Sequence, residues 1–156
     1  VDAVWLAVRE SRSPAAVIRC VAALDPASAL GLRIEPGVGA GGSVLAGGPP
    51  WRGVTSQSDD PALSGGEQRF LADARVGAVM VAPLLGKALW TDEPRLEGLA
   101  YVGRRGRRPF GATSVARAVA LGKRVARAVR DAQRLEDARA HLAEVGVELA
   151  DAAPDR

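Results

Sequence analysis

Short apolar runs make up the first two thirds of the chain, and a helical repeat makes up the last third. Residues 3–9 run Ala-Val-Trp-Leu-Ala-Val and close on Arg9. Residues 15–22 are short and rich in β-branched Val17, Ile18 and Val21. The polar stretch Glu10 to Pro14 separates them, so they read as two strands joined in a hairpin. A helix over 1–11 is the rival reading on alanine content, and Pro14 after Ser13 also suits a helix start. Asp25-Pro26 marks a turn, and a short strand follows at Leu32 to Ile34. The run Gly37-Val38-Gly39-Ala40-Gly41-Gly42 leads into Ser43 to Ala46, a short helix that Gly47-Gly48-Pro49-Pro50 stops. Trp51 to Val54 reads as a short strand and Ser56 to Ser64 as a polar loop. Ser64 and Glu67 have capping-box spacing, which predicts a helix over 65–75 with Phe70, Leu71 and Ala74 on its apolar stripe. Residues 76–84 read as a fully buried strand ended by Pro83, and 97–104 as another strand. Arg104 to Pro109 is a basic turn.

From Thr113 the period lengthens to that of a helix, with Thr113 or Ser114 as its cap. Ala118, Leu121, Val125, Ala128, Ala132, Leu135, Leu142 and Leu149 follow a heptad beat, with Arg139 and Gly146 at the two remaining seam positions. Such a repeat directs two helices to pair. The early turns must also pack on the sheet, so the seam should be free of the body only after about residue 130. The predicted order is α+β, an antiparallel sheet covered on one side by helices. It divides the chain into a body at 1–112, a long helix at 113–150 and a frayed end or linker at 151–156.

The composition narrows the chemistry. The apolar fraction is 47% and the charged fraction 25%, enough to bury one core. No window approaches 18 consecutive apolar residues, which excludes a membrane-spanning helix. The start of the chain lacks a basic and then apolar leader, so we expect no signal peptide and a cytoplasmic protein. The first residue is Val1, so we expect a piece of a longer protein. One cysteine, Cys20, excludes an internal disulfide and a cysteine-based zinc site, and one histidine, His141, excludes a multi-histidine metal centre. Net charge is +3, carried almost entirely by Arg. That is small for a nucleic-acid binder, whose basic residues should cluster on one face. We expect no membrane contact, and contact with DNA only through a separate domain.

Several motifs carry competing readings. The glycine run matches G-x-G-x-x-G, but Pro36 precedes it and the helix after it is too short for a dinucleotide site. A turn needing positive φ and close backbone approach fits better. Cys20 should be buried in its strand, with Arg19 on the opposite sheet face. His141 lacks the partners of a catalytic triad or a haem site, and we expect no enzyme, metal or cofactor. The Arg104–Arg108 run grips a phosphate or blunts a sheet edge as a solvated turn. Trp51, Arg52 and Phe70 beside the 55–64 loop suit a small-ligand pocket, or the aromatics plug the core.

The ordered set of these segments resembles a GAF domain, a small sensory module of bacterial regulators. The likeness runs through Pro36 to Ala46, Pro50-Trp51-Arg52, Phe70 to Val76, Ala78 to Leu84, Leu99 to Arg105 and Pro109-Phe110-Gly111. It is nearest to sensor domains that precede a DNA-binding helix-turn-helix. The resemblance implies a central antiparallel sheet, helices on one face, a pocket on the other, and homodimers formed through terminal helices. Trp51, Arg52, Phe70, Met80 and Tyr101 would line the pocket, with Arg52 pairing an anionic group of the small molecule. A dimerisation or interaction module with a degenerate pocket is the alternative. The usual helix before the first strand is missing, and 85–97 is longer than the tight turn found there. No bilin-type cysteine or cyclic-nucleotide signature is evident.

Overall fold

β1 (Ala3–Arg9) lies inside the sheet, antiparallel to β2 (Ala16–Ala22) on one side and to β6 (Pro94–Arg104) on the other. That position settles Ala3–Arg9 as strand rather than helix. β3 (Arg33–Ile34), β4 (Trp51–Val54) and β5 (Ala78–Lys87) complete a six-stranded antiparallel sheet of order β3-β2-β1-β6-β5-β4. This is a computed structural model, and it describes residues 1–10, 13–22, 29–55, 61–87 and 93–151. The Asp25-Pro26 turn, most of the 56–64 loop and the 152–156 tail lie largely or wholly outside the described residues.

Strand alternation sorts the core into two layers. Trp5, Ile18, Val79, Val81, Leu99 and Tyr101 face α1 (Gly39–Leu45) and α2 (Gly65–Asp73), and pack with Val44, Phe70 and Leu71. Ala78, Met80, Ala100 and Val102 face the other way, toward α3 (Ala112–Asp151), and pack with Phe110, Val115, Ala118 and Ala126. The α+β class and antiparallel sheet are as expected, but the helices do not share one face. The long helix takes one face and the two short ones the other. Both faces are apolar, so both must be covered.

Two irregularities change individual residues. The β1–β2 register shifts so that Leu6 pairs with Cys20 and Ala7 with Ile18, leaving Arg19 as an extra residue. Ile18 and Val21 stay in the core while Arg19 and Cys20 are both exposed. The expected burial of Cys20, and its separation from Arg19 across the sheet, are therefore corrected by a bulge that interrupts alternation. The strand expected to stop at Pro83 runs on to Lys87. β4 reaches only as far as Val81, so beyond it β5 pairs with β6 alone, and a residue with no N–H is tolerated facing the open side.

α3 divides its heptad between two stripes. Ala118 and Val125 turn toward the sheet, whereas Leu121, Leu135 and Leu142 are exposed. The Gln133 side chain donates to the Arg9 carbonyl at 2.9 Å, and residues 134–144 are all exposed. The helix thus leaves the body near residue 133, close to the expected 130.

Candidate functional site

α1 begins without a side-chain cap, because its N-cap is Val38. Its first amides still need acceptors. Glu67, the third residue of α2, supplies them: Oε2 accepts from Ala40 N at 3.2 Å and Oε1 from Gly41 N at 2.7 Å. The same carboxylate accepts from Ser64 N at 2.7 Å and from the Tyr101 hydroxyl at 2.7 Å. Ser64 Oγ accepts from Glu67 N, which closes the expected capping box. Glu67 is fully buried, and four donors compensate its desolvation. Burial pushes the Tyr101 hydroxyl well above the ordinary phenol range, and the adjacent carboxylate adds to it.

The glycine run fits around this cluster. Gly39 has φ +72°, and a Cβ there would lie 2.0 Å from Glu67 Oε2; one on Gly41 would lie 1.7 Å from the Tyr101 hydroxyl oxygen. The close-approach reading of the run holds, and the acceptor at these amides is the chain's own carboxylate. Capping-box spacing signalled Glu67 in the sequence. Its reach to α1 and β6 carried no local signal.

The five candidate ligand residues fall on two faces. Phe70 and Tyr101 are core residues, 5.5 Å apart edge to face, with Trp5 at 5.2 Å from Phe70. Trp51 packs half-buried against the same layer. Met80 and Arg52 are register partners on the α3 face. Met80 is buried beside Phe110, and Arg52 Nη1 donates to the Phe110 carbonyl at 2.9 Å. Arg52 also borders a groove of about 580 Å³ between β4 and α3, with Pro50, Val115, Val119 and Lys123 among its walls. Sequence reasoning missed Lys123, because only the fold brings it opposite Arg52.

A second groove, of about 790 Å³, lies between the end of the β1–β2 hairpin and α3, with charges of both signs: Arg9, Glu10, Arg19, Glu136 and Asp137. Nearby, Glu97 is the extra residue at a bulge where Leu84 pairs with Gly98 and Leu85 with Leu96. Its buried carboxylate meets Arg130 of α3 at 2.9 and 3.0 Å, while Arg95 stands at 3.9 Å. His141 is exposed on the overhanging part of α3. Arg104 lies 4.2 Å over the Phe110 ring. Among the described residues no group of three or more His, Cys, Asp or Glu is arranged to hold a metal, and no helix is long and apolar enough to cross a membrane.

No family model matches the chain, and no curated protein matches it. Solved structures do. The second GAF domain of DevS from Mycobacterium smegmatis is 24% identical, with a TM-score of 0.57 over 88% of this chain and 86% of that one. The GAF domain of a phosphoenolpyruvate-protein phosphotransferase from Coxiella burnetii is 20% identical, with a TM-score of 0.64 over 88% and 76%. The GAF domain of a two-component sensor histidine kinase from Bacillus halodurans is 14% identical, with a TM-score of 0.61 over 86% and 85%. The six-stranded antiparallel sheet, the short glycine-led helix and the long final helix together make this chain's fold that of a GAF domain.

Proposed function

We propose that the chain is a non-catalytic sensory domain of a signalling or regulatory protein, with α3 as its output. The groove between β4 and α3 carries this reading. Its two cations, Arg52 and Lys123, stand over apolar walls, so an anionic small molecule with an apolar body fits it. Such a ligand touches α3 directly and biases the helix if it binds one setting better than another. The solved structures of this fold include domains of a sensor kinase and of a phosphotransferase, which supports a signalling role. Leu135 and Leu142, exposed seven residues apart where α3 overhangs the body, support pairing with a second copy.

A second reading is favoured by the opposite face. There Trp5, Phe70, Tyr101 and Glu67 fill the space under α1 and α2, as in an interaction module whose pocket is closed.

Native mass spectrometry of the purified chain separates these readings. A dimer carrying a reproducible added mass, reduced in both Arg52→Ala and Lys123→Ala, is the expected result. Lys123→Ala is the cleaner variant, because Arg52 also holds the Phe110 carbonyl. A dimer without added mass selects the interaction module. A monomer at micromolar concentration removes the helix pairing.

A further inference from the structure

Positive charge is not spread evenly over this fold. From Gly98 to Arg130 the chain carries nine Arg and Lys residues and no Asp or Glu, although its net charge is only +3. Glu97, just before this run, is buried against Arg130. Asp2 stands at the border, accepting from the Arg105 backbone N–H. Arg117, Arg124 and Arg127 are exposed, at spacings of seven and three, so they line one side of α3 over about 15 Å. Arg107 and Arg108 are exposed in the turn that leads into the helix.

We propose that this ridge is a docking surface for double-stranded nucleic acid, held by its phosphate backbone without base readout. Guanidinium groups fit phosphate with paired N–H donors, and all five side chains are Arg. A phosphate responds to charge within a Debye length, about 8 Å at physiological salt, so local density matters more than the net +3. No aromatic side chain lies among the five, so stacking on exposed bases has no platform. A lipid surface is disfavoured because α3 packs Val115, Ala118, Val125 and Ala126 on the sheet, and among these arginines Leu121 is the single large apolar side chain left exposed, too little for an inserting apolar face. The ridge puts nucleic-acid contact on this chain itself, rather than on a separate domain.

Fluorescence anisotropy with a labelled 20-base-pair DNA of arbitrary sequence, titrated from 50 to 200 mM salt, tests this. Five neutralised phosphates predict a log–log slope of about −4.5. R117E/R124E/R127E should weaken binding at least tenfold at 100 mM and flatten the slope by about 3. R19E/R134E/R139E changes three exposed arginines elsewhere and should weaken it much less. Circular dichroism checks folding, and R117Q/R124Q/R127Q replaces the first variant if it unfolds. Absent binding at 50 mM, equal losses in the two triple variants, or displacement of the DNA by polyglutamate or phosphatidylserine vesicles at matched charge overturns the proposal.

Discussion

Glu67 serves at once as a helix cap, an acceptor for a second helix and the partner of a core tyrosine. Replacing it with Gln puts an amide donor where four donors converge, and should cost about 2–4 kcal/mol in urea unfolding. Tyr101→Phe removes one donor of four and should cost less, about 1–2 kcal/mol. The two also differ in pH response. The folded state holds the Tyr101 proton more tightly than the unfolded chain does, so its contribution is intact below the ordinary phenol value near 10 and declines as pH rises above it. Tyr101→Phe should therefore lose less stability than the parent between pH 10 and 11, and parallel alkaline profiles would refute this. At this scale the sequence was partly legible. Ser64 and Glu67 are three residues apart, so their mutual cap shows as spacing. Glu67 and Gly41 are 26 apart, and nothing in either neighbourhood announces that they meet. Arg19 and Cys20 were misread because alternation is a property of an unbroken strand.

The strands were legible wherever apolar runs ended in turn residues, as at Ala3–Arg9. They were not where sheet context decided the end: Pro83 stops a strand with neighbours on both sides, but β5 has one neighbour there. The same limit hid the junction of β6 and α3. A bulge turns Glu97 into the interior, and Arg130 reaches down to it from the helix. Arg130→Ala leaves a buried carboxylate with Arg95 at 3.9 Å, and should cost about 3 kcal/mol. Adding Glu97→Gln should recover part of that, with a coupling of about 0.5–3 kcal/mol in a double-mutant cycle. Additive losses would mean that the pair does not anchor α3 to the sheet.

Over the whole molecule, the antiparallel sheet and the long final helix followed from periodicity, while the division of helices between the two faces did not. Alternation says that a strand has two faces, and both here are apolar, so sequence alone does not allot α1, α2 and α3 among them. The same ambiguity scattered the ligand residues: Arg52 and Met80 share one layer, Phe70 and Tyr101 the other. Charge is partitioned too, since the half of α3 that lies on the sheet has no acid, and Asp131 is the first acid after it. The buried carboxylate has a kinetic corollary for the other layer. Ala40 and Gly41 of α1 and Ser64 at the start of α2 give their amide protons to a single acceptor group. Releasing that acceptor exposes all three together, so in native-state hydrogen exchange they should share one opening free energy and respond alike to denaturant. Two short helices distant in sequence would then open as a single unit.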